Sequence, residues 1–256
     1  MKKKLSFSNK INLELKNSRL EKNKILMLHV RLKKITVNYR LDYKEAVEII
    51  LTALKGYSPK NIIVPSFTYS FANGEPFHYL KSPSEVGLFS EIFRKNYSRH
   101  RVIDPMFSNC HLKDFNTFYE EKKIDFFSAF NKGSIWELFY KLNICIVNIG
   151  LDHLIISLIH YIEFLCKVPY RSEIKKIGKI YSNNSIQAVS YNFYARKLNL
   201  NLGLDWNKIE NVLIKKKAIF VSKDDNLKIK VCKIKTVADV LIPLIKKDPF
   251  FLVKKV

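Results

Sequence analysis

Short apolar runs alternate with amphipathic stretches along most of this chain, and this alternation constrains the fold more than any other feature of the sequence. The runs at 24–30, 61–65 and 144–149 have the length and composition of buried β-strands. Residues 43–54 carry apolar side chains at helical spacing, and a second helical stretch follows at 155–165. Strands separated by helices predict an α/β domain built on one mixed sheet.

The later part of the chain predicts a β-rich portion over 172–235. Within it the pattern indicates a hairpin that turns at 182–185. Short helices are predicted at 206–215 and 236–245. No internal repeat and no low-complexity linker divides the chain, so we expect a single domain over 1–256.

Two further stretches complete the expected architecture. Residues 84–93 predict a helix with Ser84 as its N-terminal cap, because serine accepts a hydrogen bond from the first helical turn. Residues 1–20 show no clear periodicity and are expected to form a poorly defined N-terminal extension.

The chain is strongly basic, with a formal net charge of +22. Such a charge suits a polyanionic partner such as nucleic acid, an anionic membrane or a phosphorylated cofactor. Of the 45 basic residues, however, only 8 are arginines. Surfaces that recognise base edges favour the bidentate fork of arginine, so the composition disfavours nucleic acid and favours a solvated lysine surface.

Cysteine usage and hydropathy indicate a cytoplasmic protein. The four cysteines are far apart and form neither a zinc-binding pair nor a disulfide framework, so reduced thiols and no metal are expected. Polar residues interrupt the basic N-terminus before any signal-peptide core can form. The longest apolar stretch, 154–166, is shorter than the roughly 20 residues of a membrane span. The pattern does not indicate an oligomeric state.

Six motifs then occur in an order that resembles the aminoglycoside 3-N-acetyltransferase family. They are VPSFTYSF at 64–71, EPF at 75–77, SPSEVG at 82–87, RVIDPMFS at 101–108, GLDHLIISLIH at 150–160 and VPYR at 168–171. The resemblance extends from about residue 28 to residue 250. It implies the family's own α/β fold with a central sheet and the use of acetyl-CoA to acetylate an amine, usually on an aminosugar. It also implies a fold unrelated to the Gcn5-like acetyltransferases, whose glycine-rich phosphate loop this chain lacks.

The resemblance matches His160 to the family's catalytic histidine. Amine acetylation needs a base because an alkylammonium group titrates near 10, and histidine is the side chain whose pKa lies closest to neutrality. Glu163 lies three residues on, close enough on a helix to orient the imidazole. Two plainer alternatives stay open: a core histidine bonded to a backbone carbonyl, and Glu163 as a structural salt-bridge partner.

Other site residues follow from the same resemblance. CoA binding is expected at the end of the first strand and in the 101–108 motif. At the end of the first strand, Arg31 replaces a hydroxyl of the family's His-Ser-Ser turn and is a candidate partner for a phosphate. The full prediction is an acceptor group of Tyr69, Asn73, Glu75 and Asp104 and a CoA group of His29, Val30, Arg31 and Ser108.

Two departures from the family pattern bear on activity. Asp104 stands before Pro105 where many members have a histidine, and residues 174–204 contain no Asp or Glu. A base without carboxylate partners loses tautomer control, and a cationic wall repels a polycationic aminoglycoside. An acceptor with one amine and several hydroxyls is therefore expected. The alternatives are a catalytically impaired relative that binds CoA or sugar, and a basic protein that binds nucleic acid or anionic lipid.

Overall fold

The computed structural model describes residues 2–114, 124–182 and 185–256, which form helices and strands in alternation. The helices are α1 (Lys2–Asn17), α2 (Leu32–Tyr39), α3 (Tyr43–Lys55), α4 (Leu88–Asn96), α5 (Ile135–Lys141), α6 (Ile159–Leu165), α7 (Trp206–Lys215) and α8 (Ile234–Lys247). The strands are β1 (Ile25–Val30), β2 (Asn61–Pro65), β3 (Phe77–His78), β4 (His100–Arg101), β5 (Asn109–His111), β6 (Cys145–Ile149), β7 (Arg171–Ser182), β8 (Ser185–Arg196), β9 (Leu202–Leu204), β10 (Ile219–Val221), β11 (Ile229–Lys233) and β12 (Val253–Lys255).

A seven-stranded mixed sheet forms the centre, in the order β10-β11-β6-β1-β2-β5-β4. Its middle strand, β1, pairs in parallel with β2 and β6, and the other pairs are antiparallel. The predicted mixed α/β architecture is confirmed. Because β1, β2 and β6 run the same way, their carboxyl ends meet at one edge of the sheet, where open α/β sheets form ligand crevices.

Helices and loops bury both faces of this sheet. Along β1, Leu26 belongs to one apolar cluster and Met27 to the cluster on the opposite face, and the same alternation places Ile146 and Val147 of β6 on opposite faces. Central strands buried on both sides are mostly apolar, which explains why these segments appear in the sequence as apolar runs with few polar residues.

The predicted hairpin is present and longer than the sequence pattern indicates. Strands β7 and β8 pair over their full twelve residues, from Arg171 opposite Arg196 to Ser182 opposite Ser185; the turn at 183–184 lies outside the described residues. Gly178 lets the hairpin approach the domain closely, because a Cβ atom at this position would lie 2.5 Å from the ring of Phe71.

The expectation of a poorly defined N-terminal extension is wrong for most of that stretch. Residues Lys2–Asn17 form α1, and Phe7, Ile11 and Leu15 are fully buried along one side of it. Their spacing of four residues places them on one helical face, which packs against α2 and α3. The sequence pattern is obscured by the many lysine and asparagine residues that occupy the solvent face.

Two predicted helices begin later than the sequence indicates. The helix expected at 84–93 starts at Leu88, because Gly87 has a φ of +129° that is incompatible with helix, and Ser84 donates its backbone N–H to the Glu91 carboxylate instead of capping. The helix expected at 155–165 starts at Ile159.

No helix within 2–114, 124–182 or 185–256 is both long enough and apolar enough to cross a membrane. Within the same ranges, no cluster of His, Cys, Asp and Glu side chains has the arrangement of a metal site.

Candidate active site

A cavity of about 610 Å³ opens at the edge of the sheet where β1, β2 and β6 end. Residues from β1 and β2 form one side of it, and the loop that follows β6 forms another. Residues that line it include His29, Val30, Pro65, Tyr69, Leu151 and His160. The cavity therefore occupies the crevice that the topology predicts.

The turn that closes β6 requires glycine. Gly150 has a φ of +75°, and a Cβ atom there would lie 3.0 Å from the carbonyl oxygen of Arg31. Its backbone approaches the end of β1 closely enough for Arg31 to donate an N–H to the carbonyl of Ile149 at 3.0 Å. This close approach brings the loop 151–157 beside the end of β1.

Side chains fix the shape of that loop. Asn148 accepts a hydrogen bond from the N–H of Ile155 at 2.6 Å and donates to its carbonyl at 2.9 Å. Glu210 on α7 accepts from the N–H of Leu154 at 2.7 Å. These bonds hold the backbone at 154–155 in a non-helical conformation, which explains why α6 begins only at Ile159.

His160 lies on the first turn of α6 and faces the cavity, with 27% of its side chain exposed. Its Nδ1 atom is 2.7 Å from Oε2 of Glu163, which is fully buried. Tyr170 donates its hydroxyl to the other carboxylate oxygen at 2.9 Å. The expectation that the base lacks a carboxylate partner is therefore wrong: the partner comes from its own helix instead of the segment after the VPYR motif.

Arg171 completes this cluster and bears on the tautomer of the imidazole. Its Nη2 lies 2.9 Å from Nδ1 of His160, and its Nε lies 2.8 Å from Oε2 of Glu163. Nδ1 cannot donate to Glu163 and accept from Arg171 at the same time, so the two contacts favour opposite tautomers. An ionised carboxylate can only accept, so the tautomer with a proton on Nδ1 satisfies Glu163, and the guanidinium then balances the buried negative charge. In this tautomer Nε2 carries the lone pair, and it has no hydrogen-bond partner among the described residues.

The environment keeps His160 neutral and Glu163 ionised. Burial lowers the pKa of His160 below 6.5, with the Glu163 hydrogen bond and charge opposing this effect and Arg171 reinforcing it. Burial opposes ionisation of Glu163, but hydrogen bonds from His160 and Tyr170 and the charge of Arg171 favour the carboxylate, and the pKa of that carboxyl is lowered. An unprotonated imidazole beside a fixed carboxylate is the arrangement of a general base.

Three of the other predicted site residues lie in the same cavity: His29 and Val30 from the predicted CoA group and Tyr69 from the predicted acceptor group. Burial lowers the pKa of His29 to about 4, and its Nε2 is buried without a hydrogen-bond partner. His29 is therefore a neutral imidazole at physiological pH.

Asp104 and Ser108 are not among the residues that line this cavity. Asp104 is 1% exposed, and its carboxylate accepts from the backbone N–H groups of Met106 and Phe107 and from the hydroxyl of Tyr191. Burial raises the pKa of Asp104 to about 6. Ser108 is also fully buried and donates to the carbonyl of Ser66 at 2.8 Å. Both side chains fix loop structure next to Pro105.

The remaining predicted residues lie outside the cavity lining. Asn73 and Glu75 are solvent-exposed around a short 3₁₀ turn at Phe71–Asn73. Arg31 directly follows the cavity-lining Val30, and its guanidinium pairs with Asp152 at 2.5 Å. Lys34 also pairs with Asp152, at 2.7 Å.

Glu85 and Trp206 are among the lining residues that the sequence does not assign to the site. Glu85 accepts hydrogen bonds through Oε1 from the hydroxyl of Thr68 at 2.8 Å and from the N–H of Tyr69 at 2.7 Å. Its position within the SPSEVG motif is a signal that could have identified it, since a carboxylate in a short segment bounded by Pro83 and Gly87 has no evident packing role. Trp206, at the start of α7, comes from the β-rich portion and gives no comparable signal.

Comparison with protein families matches residues 27–245 to the family described as aminoglycoside 3-N-acetyltransferase. Comparison with curated protein sequences finds no match. The family match covers far more than half of the chain and includes all of α6 and all of the central sheet except the first two residues of β1.

Solved structures of similar fold agree with this match. The apoenzyme of aminoglycoside acetyltransferase AAC(3)-IVa superposes with a TM-score of 0.70 at 15% identity, covering 96% of this chain and 90% of that chain. AAC-IIIb in a binary structure with CoASH gives 0.74 at 11% identity, covering 94% and 96%. YokD from Bacillus subtilis gives 0.71 at 14% identity, covering 94% and 93%. Identities this low establish a shared fold, and the family match establishes descent: the chain belongs to the aminoglycoside 3-N-acetyltransferase family.

Proposed function

We propose that this chain transfers the acetyl group of acetyl-CoA to an amino group of an aminosugar or aminoglycoside-like acceptor, with His160 as general base. The observation that carries the proposal is the hydrogen-bonded set of His160, Glu163 and Tyr170 at the wall of a cavity that lies at the carboxyl ends of the sheet. Enzymes of the family use acetyl-CoA, and AAC-IIIb has been solved with CoASH.

His160 has the proton affinity and the orientation that the reaction needs. Glu163 fixes the Nδ1–H tautomer, which leaves Nε2 to accept a proton from the acceptor nitrogen as the C–N bond forms and the thioester C–S bond breaks. The imidazolium then passes this proton to the departing sulfur, so CoA leaves as the thiol. Because the pKa of His160 is lowered, the imidazole is unprotonated at neutral pH and ready to act.

The chemistry of the cavity suits a pantetheine thioester. Its walls include the apolar side chains of Val30, Leu151 and Ile156, which suit a mostly aliphatic arm. Beside Val30, the side chains of Arg31 and Lys34 share a single carboxylate, Asp152, and leave net positive charge near the rim. Arg31 and Lys34 are the groups that we assign to the phosphates of CoA.

Glu85 is the residue that we assign to the acceptor's ammonium group. Among the described residues that line the cavity it is the only carboxylate. Its Oε1 accepts two hydrogen bonds from the protein, so Oε2 is available to a ligand. A polycationic aminoglycoside is best held by several carboxylates, whereas one carboxylate beside Tyr69 suits an acceptor with a single amine.

The direct test is acetyl-CoA-dependent release of thiol with a panel of aminosugars and aminoglycosides. We expect turnover that falls by about 10²–10⁴-fold in His160→Ala, the usual contribution of a general base. The matched control is His153→Ala, because His153 is an exposed histidine on the adjoining loop. Equal turnover in both variants would remove His160 from the mechanism.

Thiol release together with a thermal-unfolding measurement separates the alternative of a catalytically impaired relative. Such a protein gains thermal stability with CoA yet releases no thiol with any acceptor of the panel. Gain of stability follows from binding to the folded state alone and is independent of catalysis.

A further inference from the structure

Three arginines line a small polar pocket at the C-terminal end of α4. The chain has only 8 arginines among its 45 basic residues, and Arg94, Arg99 and Arg101 all line this one pocket. Its volume of about 100 Å³ exceeds the roughly 10–15 Å³ that admits a single water molecule. The other lining residues are Tyr79, Leu80, Ser98, His100 and Cys110.

Arg101 provides a buried positive charge at this site. It is 4% exposed, and its guanidinium donates to the carbonyls of Ser66, Tyr79 and Ser82 and to the hydroxyl of Ser108. No carboxylate lies within ion-pair distance of it among the described residues. Burial lowers the pKa of Arg101 to about 10, as expected for a cation removed from water without a counter-charge.

The two other arginines differ in how they are engaged. Arg94 donates to both oxygens of Glu91 at 2.8 Å and to the carbonyl of Leu80 at 2.6 Å, which leaves part of its donor set unused. Arg99 is exposed, and its side chain makes no ion pair or hydrogen bond within the described part of the chain. A guanidinium without a partner at the mouth of a pocket is a donor fork available to a ligand.

The charge balance of the pocket favours an anion. Glu91 is the carboxylate nearest to the arginines, and Arg94 and Lys95 already pair with it. Burial lowers the pKa of His100, and the charge of Asp114 opposes this effect. Neither Glu91 nor Asp114 lines the pocket. The three guanidinium groups thus outnumber the acidic groups close to them.

We infer that this pocket binds a tetrahedral oxyanion of the phosphate class, either as the free anion or as the terminal group of a phosphomonoester. Arginine is the side chain whose planar fork matches the oxygens of phosphate, and the pocket combines an anchored guanidinium at its base with an unpaired one at its mouth. Nothing in the acetyl-transfer scheme uses these residues.

The pocket is separate from the acetyl-transfer site. Residues just before and at the start of α4, among them Gly87 and Ser90, line the active-site cavity, whereas Arg94 and the residues after the helix line the pocket. The two share no lining residue. Occupancy of the pocket can therefore be measured in the absence of acetyl-CoA and acceptor.

The test is titration of the full chain with inorganic phosphate at constant ionic strength, followed by calorimetry and by the midpoint of thermal unfolding. We expect saturable binding that Arg99→Gln weakens by about tenfold or more, since the variant removes a charge-assisted hydrogen-bond donor from the anion. The matched control is Arg40→Gln, which removes another exposed arginine and the same charge. Arg99→Lys keeps the charge but loses the fork, so intermediate affinity is expected.

A parallel titration with glycerol 2-phosphate identifies the source of the anion. Binding of both probes supports a phosphomonoester ligand, and binding of inorganic phosphate alone supports the free anion. The inference is overturned if phosphate shows no saturable binding at constant ionic strength. It is also overturned if Arg99→Gln and Arg40→Gln weaken binding equally, because a general effect of net charge would then explain the result.

Discussion

The imidazole of His160 and the carboxylate of Glu163 lie on successive turns of one helix, with Nδ1 and Oε2 2.7 Å apart. The carboxylate is fully buried, and Tyr170 donates to its second oxygen while Arg171 lies against the first. One helix thus supplies both the proposed base and the carboxylate bonded to it, whereas β7 and the turn before it supply the partners that hold the carboxylate in place.

This arrangement predicts that Glu163→Gln lowers kcat and changes the pH profile together. Loss of the carboxylate frees the imidazole to adopt either tautomer, so we expect kcat to fall by at least about tenfold; loss of an orienting carboxylate costs up to ~10⁴-fold in serine proteases. Glu163 also opposes the lowering of the pKa of His160. The acid limb of kcat/KM against pH should therefore move to lower pH in the variant.

Glu173→Gln is the control for this experiment, because Glu173 is an exposed carboxylate at the start of β7. An unchanged acid limb in Glu163→Gln would show that the base titrating in the profile is not His160.

The sequence predicts the sheet and its helices because the central strands are buried on both faces and are therefore mostly apolar. The sequence does not predict where helices begin, because hydrogen bonds from other parts of the fold determine the first helical residue. Asn148 holds residue 155 outside the helix through two hydrogen bonds, and no local pattern reveals that pairing. It also fails for α1, where the buried apolar residues Phe7, Ile11 and Leu15 recur only at every fourth position.

In the candidate site, too, local spacing predicts some contacts, whereas contacts between distant residues could not be predicted. His160 and Glu163 share a local helical spacing, so their contact could be predicted from three residues of separation. Glu85 and Asp104 could not be assigned in this way, because each belongs to a loop. Glu85 reaches the cavity, and Asp104 turns inward to Tyr191. Loop side chains depend on contacts that are distant in the sequence, such as the 87 positions between Asp104 and Tyr191.

Glu85→Gln should raise KM for the amine acceptor and leave kcat little changed. The substitution keeps the Oε1 acceptor for Thr68 and Tyr69 but removes the charge that attracts an ammonium group. A charge-assisted hydrogen bond contributes roughly 1.5–3 kcal/mol, which corresponds to an increase in KM of about tenfold to a hundredfold. Steady-state kinetics with the acceptor and acetyl-CoA varied in turn measure the effect, and KM for acetyl-CoA should stay constant. A fall in kcat at unchanged KM would place Glu85 in the chemical step instead.

The buried His111 should make the protein less stable in acid. Burial lowers the pKa of His111 to about 3, well below its ordinary value of 6.5. Between these values the unfolded chain binds a proton that the folded protein does not, so stability falls as pH falls from 6.5 toward 3, by about 1.4 kcal/mol per pH unit. Denaturant unfolding at pH 7, 5.5 and 4.5 measures this slope. His111→Asn should reduce the slope by about this amount, leaving the part that the buried His29 contributes, while His153→Asn, at an exposed histidine, should leave the slope unchanged.

The ion pair of Lys230 and Glu210 should matter to both stability and turnover. Lys230 is 2% exposed, and its Nζ lies 2.9 Å from Glu210 Oε1 and 2.8 Å from the carbonyl of Asp152. Glu210 in turn accepts the N–H of Leu154, so the pair holds the loop that forms one wall of the cavity. Lys230→Met leaves a mostly buried carboxylate without its counter-charge, which costs about 3–5 kcal/mol of unfolding free energy.

Lys228→Met provides the comparison, since the neighbouring Lys228 is 31% exposed and lies 3.5 Å from Asp152. Loss of an exposed pair costs less than about 1 kcal/mol. The double variant Lys230→Met with Glu210→Leu should recover most of the stability, because it removes both charges together. Turnover should remain low in that double variant, since the bond from Leu154 to Glu210 is still missing and the loop is no longer held. Equal destabilisation by Lys230→Met and Lys228→Met, measured by denaturant unfolding, would show that the buried pair has no special part in holding this wall.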